Sequence, residues 1–126
     1  MKFDAKKDEG STLHFDYRKQ GNTLVIALGG SMDSASAPNF TAVVDDKLAE
    51  GENQLIVNLD NLNHLSSAGL RSILVVLKKI DALKRKMYFV SANEDVNRIF
   101  KMAGVYNSMF SVYESEEAVF KILPAD

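Results

Sequence analysis

Two adjacent hydroxyls, Ser66 and Ser67, are the side chains best placed to do chemistry in this sequence. Before them runs an apolar stretch, Leu55-Ile56-Val57-Asn58-Leu59, long enough for a buried strand. A polar turn is expected next, over Asp60-Asn61-Leu62-Asn63-His64. After the serines, Leu70, Ile73, Leu74, Leu77 and Ile80 recur at the spacing of a helical stripe. The hydroxyls therefore fall where a strand hands over to a helix. A helix start has unpaired N–H groups and a partial positive charge. A serine there caps the helix, and a phosphate there is electrostatically favoured. Spacing alone leaves both uses open.

Other chemistries find less support. The two histidines, His14 and His64, are far apart and neither sits in a metal-ligand pattern. A hydrolase elbow needs G-x-S-x-G, and Leu65-Ser66-Ser67-Ala68-Gly69 lacks the first glycine. No phosphate-loop or dinucleotide glycine pattern occurs, and Gly29-Gly30 reads as the end of a strand. There is no cysteine, hence no disulfide frame and no thiolate. No catalytic set assembles, and neither a metal nor an organic cofactor is expected.

Composition agrees with one soluble domain. The chain has 126 residues, 46% of them hydrophobic and 25% charged, which suffices for a single core. A net charge of -2 gives no electrostatic reason to expect nucleic acid. No apolar run reaches the length of a membrane span, and the charged start MKFDAKKDEGS lacks the apolar core of a signal peptide. A cytoplasmic location is expected.

The rest of the chain supplies the frame for the serines. Residues 1–11 are polar and expected to be flexible, and a single domain is expected over 12–123. Leu13, Phe15 and Tyr17 alternate with His14, Asp16 and Arg18, a half-buried strand. Lys19 to Asn22 is a turn into a second strand, Thr23 to Leu28. Ser34 or Ser36 is expected to cap a helix carrying Pro38 in its first turn, with Phe40, Val43, Val44 and Leu48 as its stripe and Gly51 as its stop. The central strand and helix come next, and that helix closes on Lys84-Arg85-Lys86, expected to be a solvated basic end. Met87 to Ser91 forms a strand, Asn93 caps a helix with stripe Val96, Ile99, Phe100 and Ala103, and Gly104 ends it. Ser108 to Tyr113 is the last strand, and Ser115 caps a final helix ending before Pro124. The methionines Met102 and Met109 fall on apolar stripes and read as core. This β-β-α-β-α-β-α-β-α order predicts an α/β fold, a mixed, mostly parallel sheet with four main helices.

With its elements in this order, the sequence resembles the STAS domain, in particular the bacterial anti-sigma factor antagonists. Three stretches carry the resemblance. Leu59 to Leu74 is similar to the family's strand, D-S-(S/T)-G-L or S-S-A-G-L signature and helix; Gly30-Ser31-Met32-Asp33 is similar to its G-x-L-D; and Val96 to Val105 is similar to its helix ending in alanine-glycine and an apolar residue. The resemblance implies a switch. The antagonist binds an anti-sigma factor that is also a serine kinase of the histidine-kinase-like ATPase type, and so releases the sigma factor. The kinase phosphorylates a serine at the start of the central helix, the pair separates, and a phosphatase resets the system. By the motif Ser67 takes the phosphoacceptor place, with Ser66 as the alternative acceptor. Ser66 stands where many members have aspartate, and Asn58 where many carry an acid.

The residues fit such a switch. A phosphate adds about -1.5 to -2 charges, which need not unfold a helix start but would burden an interface there. Arg71 lies one turn after Ser67 on the same face, so a partner contact or a phosphate contact is open to it, as is plain exposure. Strand ends converge at one edge of such a sheet, which brings Asp33 toward the same surface. Asp33, Ser66, Ser67, Gly69 and Arg71 are thus the expected partner-binding residues. The alternative is an unphosphorylated STAS scaffold in a signalling complex or with a transport system.

Overall fold

The first strand, β1 (Leu13–Gln20), buries Leu13 and Phe15 and exposes His14, Asp16 and Arg18, the alternation its sequence dictates. The computed structural model describes residues 12–102 and 112–123. β1 turns through Gly21, at φ 60, and pairs antiparallel with β2 (Thr23–Met32). The chain then alternates: α1 (Ala37–Ala49), β3 (Gln54–Leu65), α2 (Ser67–Ala82), β4 (Lys86–Val90), α3 (Glu94–Met102), β5 (Val112–Tyr113) and α4 (Glu116–Ile122). The five strands stand in the order β1-β2-β3-β4-β5. From β2 onward each neighbour is parallel. The expected α/β fold, with a mixed, mostly parallel sheet and four main helices, is the fold observed among the described residues.

The sheet has two unlike faces. Leu24, Ile26, Leu28, Leu55, Val57 and Leu59 point into the main core with the apolar stripes of α1, α2 and α3. Among the described residues, the alternate residues Val25, Ile56 and Val90 cluster with Val119 of α4 and the half-buried Tyr88, Tyr113, Phe120 and Leu123. At roughly 25 cal/mol per Å² of apolar surface removed from water, most of the hydrophobic stabilisation lies on the three-helix side.

Two strands are longer than their sequence suggests. β2 does not stop at Gly29-Gly30 but continues to Met32. β3 does not give way to a turn after Leu59 but runs on to Leu65. The pairing register explains both. While β2 advances from Ala27 to Ser31, β3 advances from Asn58 to His64, so β3 carries extra, bulged residues. The inward side chains Leu59, Leu62 and Leu65 are therefore three apart rather than two, and the strand period is hidden. Gly30 is required where β2 passes the start of β1. Its φ is 88, and a Cβ there would lie 2.0 Å from the Thr12 carbonyl oxygen.

Other ends differ in detail. The Lys84-Arg85-Lys86 cluster is not wholly solvated. Lys84 takes the left-handed conformation at φ 59, while Arg85 donates to the carbonyls of Leu48 (2.7 Å) and Glu52 (3.2 Å), fastening the end of α1 beside the start of β4. Met102 is 80% exposed rather than core. The expectations for residues 1–11, Ala103, Gly104, Ser108, Met109 and Pro124 lie outside the described residues.

Candidate functional site

The site is built where β3 passes into α2. Ser66 has extended backbone, φ -86 and ψ 171, which turns the chain out of the strand. Its hydroxyl accepts a hydrogen bond from the Gly69 amide at 3.1 Å, the N-cap geometry that satisfies one orphan donor of the new helix. Its own amide donates to the Met32 carbonyl at 2.9 Å, tying the end of β2 to the start of α2. Ser67 is the first helical residue and is exposed. The two hydroxyls thus divide the two uses open to them: Ser66 is the structural cap, and Ser67 stands at the surface.

Gly69 is buried in the first turn of α2. A Cβ at this position would lie 2.7 Å from the Met32 carbonyl oxygen and 2.9 Å from Leu65 Cδ1. Its place in the site is therefore positional: only hydrogen fits between α2 and the end of β2.

Asp33 follows β2 and arrives beside this junction, as expected. Its carboxylate accepts from the amides of Ala35 (3.0 Å) and Ser36 (3.1 Å), an Asx-type turn that leads the chain into α1. The Ser36 amide above all holds this carboxyl below the usual aspartate range; desolvation works the other way, and the Ala35 amide, the Ser36 hydroxyl and nearby His64 reinforce the lowering. Ser36 occupies the N-cap position of α1 but does not cap with its side chain. Its hydroxyl donates to the Ser31 carbonyl at 2.8 Å and accepts from the Asp33 amide at 3.0 Å instead. The loop is a self-contained polar knot that fixes one wall of the surface.

A further wall has no signature in the sequence. Asn93 caps α3 by accepting from the amides of Asp95 and Val96, as its position suggests. Its side-chain nitrogen also donates to the Leu62 carbonyl at 2.7 Å, and Asp60 accepts from the Ala92 amide at 2.6 Å. These bonds sew the bulged half of β3 to the loop after β4. Only the register of β3 brings them together, so no local signal announces them.

Chemically the surface is a bare helix start. Among the described residues no group of three or more His, Cys, Asp or Glu side chains could hold a metal ion. No helix of the described residues is long and apolar enough to cross a membrane.

The model of the STAS domain family matches residues 14–119. The chain belongs to that family. It is 30% identical over 95 residues to BtrV of Bordetella bronchiseptica, provisionally named an anti-sigma factor antagonist, covering 75% of this chain and 81% of BtrV. The crystal structure of an anti-sigma factor antagonist from Mycobacterium paratuberculosis superposes with a TM-score of 0.77 at 16% identity, covering 86% of this chain and 92% of that one. The Bacillus cell fate determinant SpoIIAA, solved in a phosphorylated form, matches with a TM-score of 0.64 at 19% identity, over 86% of this chain and 99% of that one. The fold is the one these proteins share. This STAS domain is a member of the anti-sigma factor antagonist family.

Two further polar positions of this STAS domain fall on opposite sides of the sheet. Arg71 is exposed one turn along α2. Asn58 lies on the other face of the sheet, away from Ser67's helix. It accepts from the Asp60 amide at 2.8 Å and donates to Glu116 of α4 at 2.8 Å. An acid at position 58 would face that glutamate, and the amide avoids the repulsion.

Proposed function

We propose that this STAS domain is an anti-sigma factor antagonist switched off by phosphorylation of Ser67. Its partner is an anti-sigma factor that is also a serine kinase of the histidine-kinase-like ATPase type. Binding occupies that factor, frees the sigma factor and so regulates transcription indirectly, in the cytoplasm. Phosphorylation moves the γ-phosphoryl of ATP to Ser67 Oγ, with loss of the hydroxyl proton and release of ADP. A phosphatase returns the serine. Asp33, Ser66, Ser67 and Arg71 form or support the partner surface, with Gly69 holding α2 against the strand beneath.

One observation carries this reading: Ser66 is engaged as the cap, and Ser67 is exposed at the first helical position. The helix start supplies N–H groups and positive potential for a phosphate without unfolding. At an interface centred there, the same phosphate is a desolvated, unmatched charge.

The test is calorimetry of wild type, Ser67→Ala and Ser67→Asp against the cognate kinase, with mass spectrometry of the product made with ATP. One phosphate is expected, on Ser67. Ser67→Ala should bind like wild type, because the cap is Ser66. Ser67→Asp should fold but lose about 2–5 kcal/mol of binding, roughly 30- to several-thousand-fold. Equal affinity of all three would sink the switch and leave a constitutive scaffold, the reading to which Ser66 in the usual aspartate place would then point. Phosphate on Ser66 alone would move the acceptor by one residue.

A further inference from the structure

We infer that Arg71 is the internal counter-ion of phosphorylated Ser67. The inference rests on reading Ser67 as the phosphoacceptor and adds how the modified state is held. The first turn of α2 contains no acidic residue, whereas α3 opens with Glu94 and Asp95 and α4 with Glu116 and Glu117. In place of an acid, α2 has the exposed Ser67 and, four residues later, the exposed Arg71. A cation this early in a helix opposes the macrodipole. Arg71 makes no ion pair with any described residue, unlike Arg18 with Glu116, Lys79 with Asp45 and Arg98 with Asp95.

The unmodified helix therefore carries two positive features at one end, the dipole and the arginine, and beyond the Ser66 cap it has no acidic residue in its first turn to answer them. A phosphoserine at position 67 answers both. Residues four apart on a helix stand about 5–6 Å apart at Cβ, well within the reach of an arginine. The guanidinium fork matches two phosphate oxygens at once. The amides of the helix start are left for the remaining oxygen. The phosphoryl group then lies against α2 instead of projecting from a disrupted turn. An arginine exposed in the unmodified protein is withdrawn into this pair in the modified one. The partner thus meets both a new anion and the loss of a cation.

The test is a phosphorus NMR titration of chains with phosphoserine genetically encoded at position 67, made with Arg71, Arg71→Ala and Arg71→Lys. Because no kinase is used, the result does not depend on whether the kinase chooses Ser67. The second phosphate pKa should lie about half a pH unit lower with Arg71 than with alanine, the scale of an exposed pair. Lysine should fall between them, having charge but no fork. The difference should shrink in 1 M salt, where the screening length is about 3 Å. Coincident curves for Arg71 and Arg71→Ala would overturn the counter-ion and leave the kinase switch standing. Failure of the kinase to modify Ser67, with separated curves here, would overturn the switch and leave the pair.

Discussion

The starts of α2 and α4 use the same cap and then part company. In each, a serine with extended backbone accepts from the amide three residues on: Ser66 from Gly69 at 3.1 Å, and Ser115 from Ala118 at 3.1 Å. Behind the cap, α4 is electrically closed. Glu116 sits in the first turn and is held by Arg18 and Asn58. α2 is left open: Ser67 and Ala68 come after its cap, without an acid. The cap satisfies local geometry in both places, and the residues just behind it decide how each helix start is used. A helix start whose positive end is answered within the fold holds the fold together. One left unanswered at an exposed hydroxyl is suited to accept charge from outside.

The contrast is largest at the third helical position. In α4 it is Ala118, and in α2 it is Gly69. Gly69→Ala would place a Cβ 2.7 Å from the Met32 carbonyl oxygen, a backbone atom that cannot swing aside. The substitution should destabilise the protein by about 1–3 kcal/mol despite alanine's better helix propensity. Ala118→Gly in α4 should cost at most about 1 kcal/mol, the propensity difference alone. Urea unfolding of both variants measures the contrast. A Gly69→Ala variant as stable as wild type would show that α2 can tilt freely away from β2.

Range decides which of these features the chain reveals on its own. The caps Asn93 and Ser115 are readable because a cap is a local pattern of one polar residue before an apolar stripe, whereas at α2 the pattern offers two serines and only the structure assigns the cap to Ser66. The order of strands and helices is readable for the same reason. The true lengths of β2 and β3 are not, because the bulged register that makes Leu62 and Leu65 inward residues is a property of two strands together. Arg85 reads as a solvated helix end because its acceptors, the Leu48 and Glu52 carbonyls, belong to another element. Topology alone places Asp33 and Ser67 near one edge. That Asp33 is bound up in its own turn, while Ser67 is free at the surface, is visible only in three dimensions. Gly69 belongs to the motif beside the serines, and only the approach of Met32 shows it to be a packing residue.

The shared caps give the next test. Ser66→Ala and Ser115→Ala remove the same bond and should each cost about 0.5–2 kcal/mol. Their consequences should differ. Ser66 also anchors the junction through its amide to Met32, which alanine keeps, so the loss at α2 is the cap alone. In α4, a seven-residue helix, the cap is a larger share of what holds the element. Amide exchange should therefore speed up throughout α4 in Ser115→Ala, but only in the first turn of α2 in Ser66→Ala. Equal spreading along both helices would remove the distinction.

The smallest effect is expected at the closed start. Partial burial pushes the Glu116 carboxyl up, but hydrogen bonds from Arg18 and Asn58, with the Arg18 charge, outweigh it and hold it below its ordinary value. A carboxyl lowered on folding contributes stability that is fully present above its unfolded value. That contribution is lost as pH falls through the folded value. For Glu116 the loss therefore begins below about pH 4.5, the ordinary glutamate value. Glu116→Gln should cost about 0.5–1 kcal/mol at pH 7, discounted for a site still partly open to solvent. The gap between wild type and variant should narrow as the pH falls below the ordinary glutamate value, because the wild-type carboxyl then takes up its proton and loses the bonds that favour its charge. Urea unfolding at pH 7, 5 and 3 gives the curve. Ser67→Gln is the matched control at the open start: it has no carboxylate to lose, so its offset from wild type should be the same at all three pH values. A Glu116→Gln gap that stayed constant with pH would mean that Arg18 and Asn58 hold α4 by shape and not by charge.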